Sequence, residues 1–275
     1  MKYIFEQVTV FSSKKMDGNA LAVVVGADDL TEEQMNKFAK WTNLSETVFL
    51  LKPTTPKADY RVRIYTTEGE LPFAGHPTLG SCFVWQQTYG RPLDTIVQEC
   101  GVGLVTIKRI NGKLAFMAPP LIRGGEIEQQ EKNKIFKALG LTDDDVVGCK
   151  WLDNGPGWLG IELKSVEKLL HIEPDYSQLK GYDIGLCAIC PEGHDKQLEV
   201  RAFCCSIAEE DPVTGSFNAV AAQWLIPQGK LPQQYTAGQG QCIGRNGLIY
   251  VTADDEGIWV AGDVVNCISG TVELD

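Results

Sequence analysis

No stretch of this 275-residue sequence comes near the ~18 consecutive apolar residues that a membrane-spanning helix requires. The longest apolar run near the start is Ala20–Val25. Positive charge is also in short supply. Twenty-five lysines and arginines face 36 aspartates and glutamates, a formal net charge of −11 with a pI near 4.8. A chain this acidic repels phosphate backbones, which argues against a nucleic-acid partner. Histidine is rare, and the nine cysteines are odd in number and irregular in spacing. One CxxC, Cys187 to Cys190, adjoins an apolar run that reads as a buried strand. No second CxxC or paired histidines accompany it, so reduced thiols are expected and a metal is not. Met1–Val10 alternates like a strand around Glu6 and lacks the basic start and apolar middle of a secretion signal. A cytoplasmic protein with no membrane partner is the expectation.

The chain is 44% hydrophobic and 22% charged, enough apolar material for one large domain or two ordinary ones. Its most informative feature is internal. A shift of 138 residues, without a gap, places Arg63-Ile-Tyr65 over Arg201-Ala-Phe203 and Val48–Leu51 over Leu186–Ile189. The same shift places His76-Pro-Thr78 over Thr214-Gly-Ser216. Acidic residues precede both turns: Glu68 and Glu70, then Glu209, Glu210 and Asp211. Each copy reads as an apolar strand, a proline-containing turn, an alternating strand, a Pro/Gly loop and a helix. The helices are expected over about Thr78–Gln87 and Ser216–Leu225, with Thr78 and Ser216 as N-caps. Both are apolar nearly all round, as buried helices are. Asn111-Gly112 marks a hairpin. Repeats of this length are duplicated domains rather than solenoid units. Each half is therefore expected to be a curled sheet on its own central helix, the first over residues 1–118 and the second over 119–275. The last strand, about 264–275, is open to pairing back with the first half. Leu121–Leu139 would link the halves and supply a surface helix.

A helix start carries unsatisfied N–H groups and partial positive charge, and two that converge would make a carboxylate site. Two ordinary capped core helices would read the same way. Gly75 and Gly215 would let a ligand approach the backbone. His76, between Gly75 and Pro77, can donate or accept a hydrogen bond near neutral pH. Asp211, just ahead of the second helix, could act in the site or simply favour the helix dipole. Glu46, in Asn43-Leu-Ser-Glu-Thr-Val-Phe49, stands between a helix (Thr31–Trp41) and a strand. Among Leu44, Val48 and Phe49 it would be partly desolvated, which raises a carboxyl pKa toward the working range of a general acid/base. A lone glutamate there could equally be a cap or a surface residue.

Together these motifs resemble one family. Asn43–Phe49, Glu70-Leu-Pro-Phe-Ala-Gly-His-Pro-Thr-Leu-Gly80 and Glu210-Asp-Pro-Val-Thr-Gly-Ser216 are similar to segments of the phenazine-biosynthesis PhzF-like family. So are the opening Phe11…Gly18-Asn-Ala-Leu-Ala-Val-Val24 and the late Gly238-Gln-Gly-Gln-Cys-Ile-Gly-Arg245. The resemblance implies a diaminopimelate epimerase-like α+β fold. That is two pseudo-symmetric halves, each a barrel-like, mostly antiparallel sheet around a central helix. It implies an isomerase that shifts a proton on a small carboxylate-bearing substrate, in a cleft between the halves, with no cofactor, and a homodimer. Glu46 takes the place of the family's acid/base glutamate, His76 of its histidine and Asp211 of its aspartate. Gly215 and Ser216 take the place of the Gly-Ser that holds substrate. Gly75, Pro77, Thr78 and Thr214 complete the expected substrate-binding set. Three departures stand out: Asn19-Ala20 for Asn-Pro, Phe217 for a small residue, and Asn246-Gly247 for Pro-Ser. Phe217, expected beside the cleft, puts substrate identity in question. Thiol epimerases of the same fold use a cysteine at each junction. This chain has none from Glu70 to Ser81 or from Ala208 to Asn218. A racemase of that kind is the second enzymatic reading, and a non-catalytic binding protein the third.

Overall fold

The computed structural model describes all residues from Met1 to Asp275. The chain forms two compact units, Met1–Met117 with Ala261–Asp275, and Ala118–Val260. The first contains β1 (Lys2–Val10), β2 (Asn19–Val25), α1 (Glu32–Thr42), β3 (Glu46–Leu51), β4 (Tyr60–Tyr65), β5 (Glu70–Leu71), α2 (Gly75–Tyr89), β6 (Thr95–Cys100), β7 (Gly103–Ile110) and β8 (Lys113–Met117). The second contains β9 (Arg123–Gly125), α3 (Gln129–Leu139), β10 (Val146–Asp153), β11 (Trp158–Leu163), α4 (Val166–Leu170), β12 (Asp183–Ile189), β13 (Leu198–Cys204), β14 (Glu209–Asp211), α5 (Gly215–Leu225), β15 (Gln234–Gln239) and β16 (Gly247–Ala253). β17 (Ile258–Gly262) leads out of it, and β18 (Val264–Glu273) pairs antiparallel with β1, Tyr3 opposite Val272. No helix is long and apolar enough to cross a membrane.

The two units share one strand plan. In the first, β1–β2, β3–β4, β6–β7 and β7–β8 are antiparallel, while β2–β3 is parallel across α1 and β4–β6 is parallel across α2. In the second, β10–β11, β12–β13 and β15–β16 are antiparallel, while β11–β12 is parallel across α4 and β13–β15 is parallel across α5. The fold is α+β, and each unit is a mixed, mostly antiparallel sheet with one buried helix. The Asn111-Gly112 turn takes positive φ at both residues and joins Ile110 to Lys113, the two-residue hairpin geometry its sequence favours.

The central helices explain the apolar runs. α2 packs against β1, β2, β3, β4, β6, β8 and β18, so the sheet wraps around it. Gly80 lets helix and sheet come close, for a Cβ there would meet Leu21 Cδ2 at 2.4 Å. Amphipathic α1 covers the outer face of the same sheet. Met35, Phe38 and Ala39 are buried against Val24, Phe49 and Tyr65, and burying each large side chain is worth roughly 1.5–3 kcal/mol. Thr31 and Gln34 close its start as a capping box, and Asn43 ends it in the left-handed conformation.

The ungapped 138-residue shift holds only for β4 on β13. Ile64 faces Val48 and Leu71, while Ala202 faces Gly185 and Asp211. The preceding strand is thus displaced by 137 residues and the following one by 140, because in the second unit the first of these connections is one residue longer and the next is two residues longer. The helices follow the later register. Gly75 and Gly215 are their first residues, capped by Ala74 and Thr214, and Thr78 and Ser216 lie inside the helices rather than at their caps. A proline at position 77 does not delay α2, since its missing N–H is among those a first turn leaves unused. The linker segment also holds β9, which its sequence did not announce, before α3.

Candidate active site

The first unit brings two of the singled-out residues together. Glu46 is the first residue of β3, three residues after the left-handed Asn43, and pairs in register with Leu21 of β2. Thr42 Oγ1 and Thr47 Oγ1, 3.0 Å apart, tie the end of α1 to this strand start. His76 is the second residue of α2, and its Nε2 lies 3.3 Å from Glu46 Oε2. Both side chains are largely buried, 6% exposed for His76 and 15% for Glu46. Burial pushes the imidazole down from 6.5 to about 3, against a weaker pull from a hydrogen bond to the backbone of Ala20. Burial therefore favours the neutral ring over a charged pair with Glu46.

The rest of the α2 start divides into free and committed groups. Ala74 gives the first turn no side-chain cap, so the N–H groups of Gly75 and His76 have no partner within the helix. Pro77 has no N–H to offer. Thr78 is fully buried and committed: its hydroxyl donates to Ala74 O at 2.9 Å and accepts from Gln98 Nε2 at 3.1 Å. Gln98, on β6, also accepts from Tyr60 and Ser81, which locks the helix to the sheet.

The second unit repeats the device. Asp211 ends β14, half-buried, and its Oδ2 accepts the Thr214 hydroxyl at 2.5 Å. Gln239, at the end of β15, accepts the Thr214 N–H at 2.9 Å and donates to Thr214 Oγ1 at 2.8 Å and to Asp211 O at 3.0 Å. The hydroxyl proton and the N–H of Thr214 both go to protein acceptors. Gly215 and Ser216 follow as the first residues of an α5 without a side-chain cap. Ser216 is half-buried; its Oγ accepts from Trp158 Nε1 and its carbonyl from Asn154 Nδ2.

Phe217 departs from its expected place. It is completely buried, edge-on to Trp158 at 5.6 Å between centroids, and lies where a Cβ on Gly185 would be, 2.0 Å from its ring. The large side chain is a core residue of the second unit, admitted by a glycine on β12. Gln98, Gln239, Asn154 and Trp158 escaped the reading of the sequence. Gln239 falls within the Gly238–Arg245 motif, and Asn154 and Trp158 in a run of turn residues, Asp153-Asn-Gly-Pro-Gly-Trp158, but their partners lie 20 to 62 residues away.

The family model for phenazine biosynthesis-like proteins matches residues 8–270. The chain is 36% identical to Antisense-enhancing sequence 1 of Schizosaccharomyces pombe over 98% of both proteins. It is 30% identical to trans-2,3-dihydro-3-hydroxyanthranilate isomerase of Pseudomonas chlororaphis, over 97% of this chain and 98% of that protein. The crystal structure of a phenazine biosynthesis protein of the PhzF family from Enterococcus faecalis superposes with a TM-score of 0.83 at 24% identity, covering 100% of both chains.

Proposed function

Because this chain belongs to the phenazine biosynthesis-like family, whose curated relatives include named isomerases, we propose that it is a cofactor-independent isomerase with Glu46 as its single acid/base. The substrate is a small carboxylate-bearing molecule. Glu46 takes a proton from an acidic carbon, the electron pair moves along the adjoining π system, and Glu46 returns the proton to a second carbon on the same face. One C–H bond breaks and one forms, with no net redox change. The observation that carries this is the 3.3 Å approach of Glu46 Oε2 to His76 Nε2 at an uncapped helix start. With its N–H given to the backbone of Ala20, a neutral imidazole turns the Nε2 lone pair to Glu46 and can accept from the carboxyl group once it has taken the proton.

The N–H groups of Gly215 and Ser216 and the Ser216 hydroxyl suit a substrate carboxylate. Gly75 offers the corresponding backbone N–H in the first unit. Asp211, with one oxygen already taken by Thr214, is an acceptor for a substrate N–H or O–H. Pro77, Thr78 and Thr214 shape these starts rather than touch substrate. A homodimer in the cytoplasm completes the proposal, and sedimentation at micromolar concentration tests the oligomeric state.

The compound to try first is the one named in the activity of the Pseudomonas chlororaphis relative. Turnover in deuterated water should place solvent deuterium at the acceptor carbon only as far as the Glu46 carboxyl proton exchanges before its return, so partial incorporation is expected. Glu46→Gln keeps the shape and should lower the rate by about 10²–10⁴-fold while ligand still binds. Undiminished turnover by Glu46→Gln sinks the single-base mechanism.

A further inference from the structure

Ser216 does not hold its own hydroxyl in place. Its Oγ accepts the indole N–H of Trp158 at 2.9 Å, and an indole nitrogen can only donate, so the direction of this bond is settled. A hydroxyl has one proton. With a lone pair facing the indole, that proton turns away from Trp158. The backbone of Ser216 is held as well, by Asn154 Nδ2 on its carbonyl at 3.2 Å. Both supports come from one turn. Asp153 Oδ1 accepts the N–H groups of Gly155 and Gly157 at 2.7 and 2.9 Å, and these glycines have φ of 140° and 86°, which side chains disfavour. Trp158 itself is 2% exposed and wedged against Phe217.

We propose that Trp158 is a positioning residue that fills one lone pair of the Ser216 hydroxyl and so turns its proton toward the substrate carboxylate, with Asn154 fixing the backbone that carries it. This rests on Ser216 holding the carboxylate, as proposed above. An unrestrained serine hydroxyl samples its rotamers and can meet a substrate as donor or acceptor. The indole fills one lone pair and excludes the rotamer that points the proton at it, which narrows that choice. The preset orientation also saves the cost of ordering the hydroxyl when ligand arrives.

Calorimetric titration with 3-hydroxyanthranilate, an aromatic acid of the substrate's shape, tests this on four proteins: wild type, Ser216→Ala, Trp158→Phe and the double variant. Ser216→Ala should bind about ten-fold more weakly and Trp158→Phe about three- to ten-fold more weakly, as loss of a bond to a charged group implies. The double variant should bind no more weakly than Ser216→Ala, because Trp158 acts only through that hydroxyl. Wild-type affinity in Trp158→Phe, or losses that multiply in the double variant, would overturn the proposal. Wild-type affinity in Ser216→Ala, or no binding by the wild type, would instead defeat the assignment of Ser216 to the carboxylate. Should Trp158→Phe fail to fold, the indole N–H resonance of Trp158 in the wild type decides. It should move downfield when 3-hydroxyanthranilate binds, since a hydroxyl that donates to a carboxylate is a stronger acceptor. An unmoved resonance on a saturated protein counts against the proposal.

Discussion

The side-chain amide of Gln239 closes on Thr214 from two directions, accepting its backbone N–H at 2.9 Å and donating to its hydroxyl at 2.8 Å. All three groups are buried, and the same amide oxygen also receives Asn218 Nδ2 at 3.1 Å. One residue thereby satisfies the cap of α5, a polar side chain inside that helix, and the hydroxyl that donates to Asp211.

Gln239→Leu keeps the volume and leaves the Thr214 N–H and the Asn218 amide without this partner. Each buried group so stranded costs about 1–3 kcal/mol. Chemical denaturation should show a loss of about 2–4 kcal/mol, and ligand binding should weaken as Asp211 and Thr214 lose their common anchor. A loss under about 1 kcal/mol means the helix start stands without Gln239.

His76 should make the protein sensitive to mild acid. Its folded pKa, lowered to about 3 by burial, lies below the 6.5 of an exposed imidazole. Between these values the unfolded chain holds one proton more than the folded one, so stability from this group falls as pH drops from 6.5 toward 3 and is complete above 6.5. The slope is about 1.4 kcal/mol per pH unit inside that window. Denaturation midpoints collected from pH 7 to pH 4 should show this slope in the wild type and lack it in His76→Gln. Parallel profiles for the two proteins would mean that His76 is charged in the fold.

The two halves use one arginine–glutamate bridge in different surroundings. Arg63 meets Glu70 through Nε at 2.7 Å, with 26% and 36% of the side chains exposed. Arg201 meets Glu210 at 3.0 and 2.7 Å with 7% and 6% exposed, and its Nη1 also donates to Leu169 O and Ile172 O. Arg201→Met strands a buried carboxylate beside Asp211 and should cost about 3–5 kcal/mol. Arg63→Met removes a solvent-screened pair and should cost about 0–1 kcal/mol. Equal losses in the two variants would show that burial does not set the difference.

The amino-acid sequence by itself determined the repeated order of strands and helices, because local patterning is enough to specify it. Apolar alternation makes β4 and β13, all-apolar runs make α2 and α5 into buried helices, and Asn111-Gly112 makes a hairpin. Glu46, His76 and Asp211 stood out for the same reason, as polar residues in short motifs at the ends of such elements. Tertiary structure alone decided what each of them can do. Thr78 and Thr214 are committed to Ala74, Gln98, Asp211 and Gln239, Phe217 is core because Gly185 leaves it room, and Ser216 is oriented by Trp158. These outcomes turn on where one proton points or on one missing Cβ, set by partners tens of residues away. A hydroxyl next to a glycine looks the same along the chain whether it is free for a ligand or already bound to the fold. Even the 138-residue repeat had to yield, since a hairpin two residues longer carries every later residue into a new register without altering the pattern of the strands.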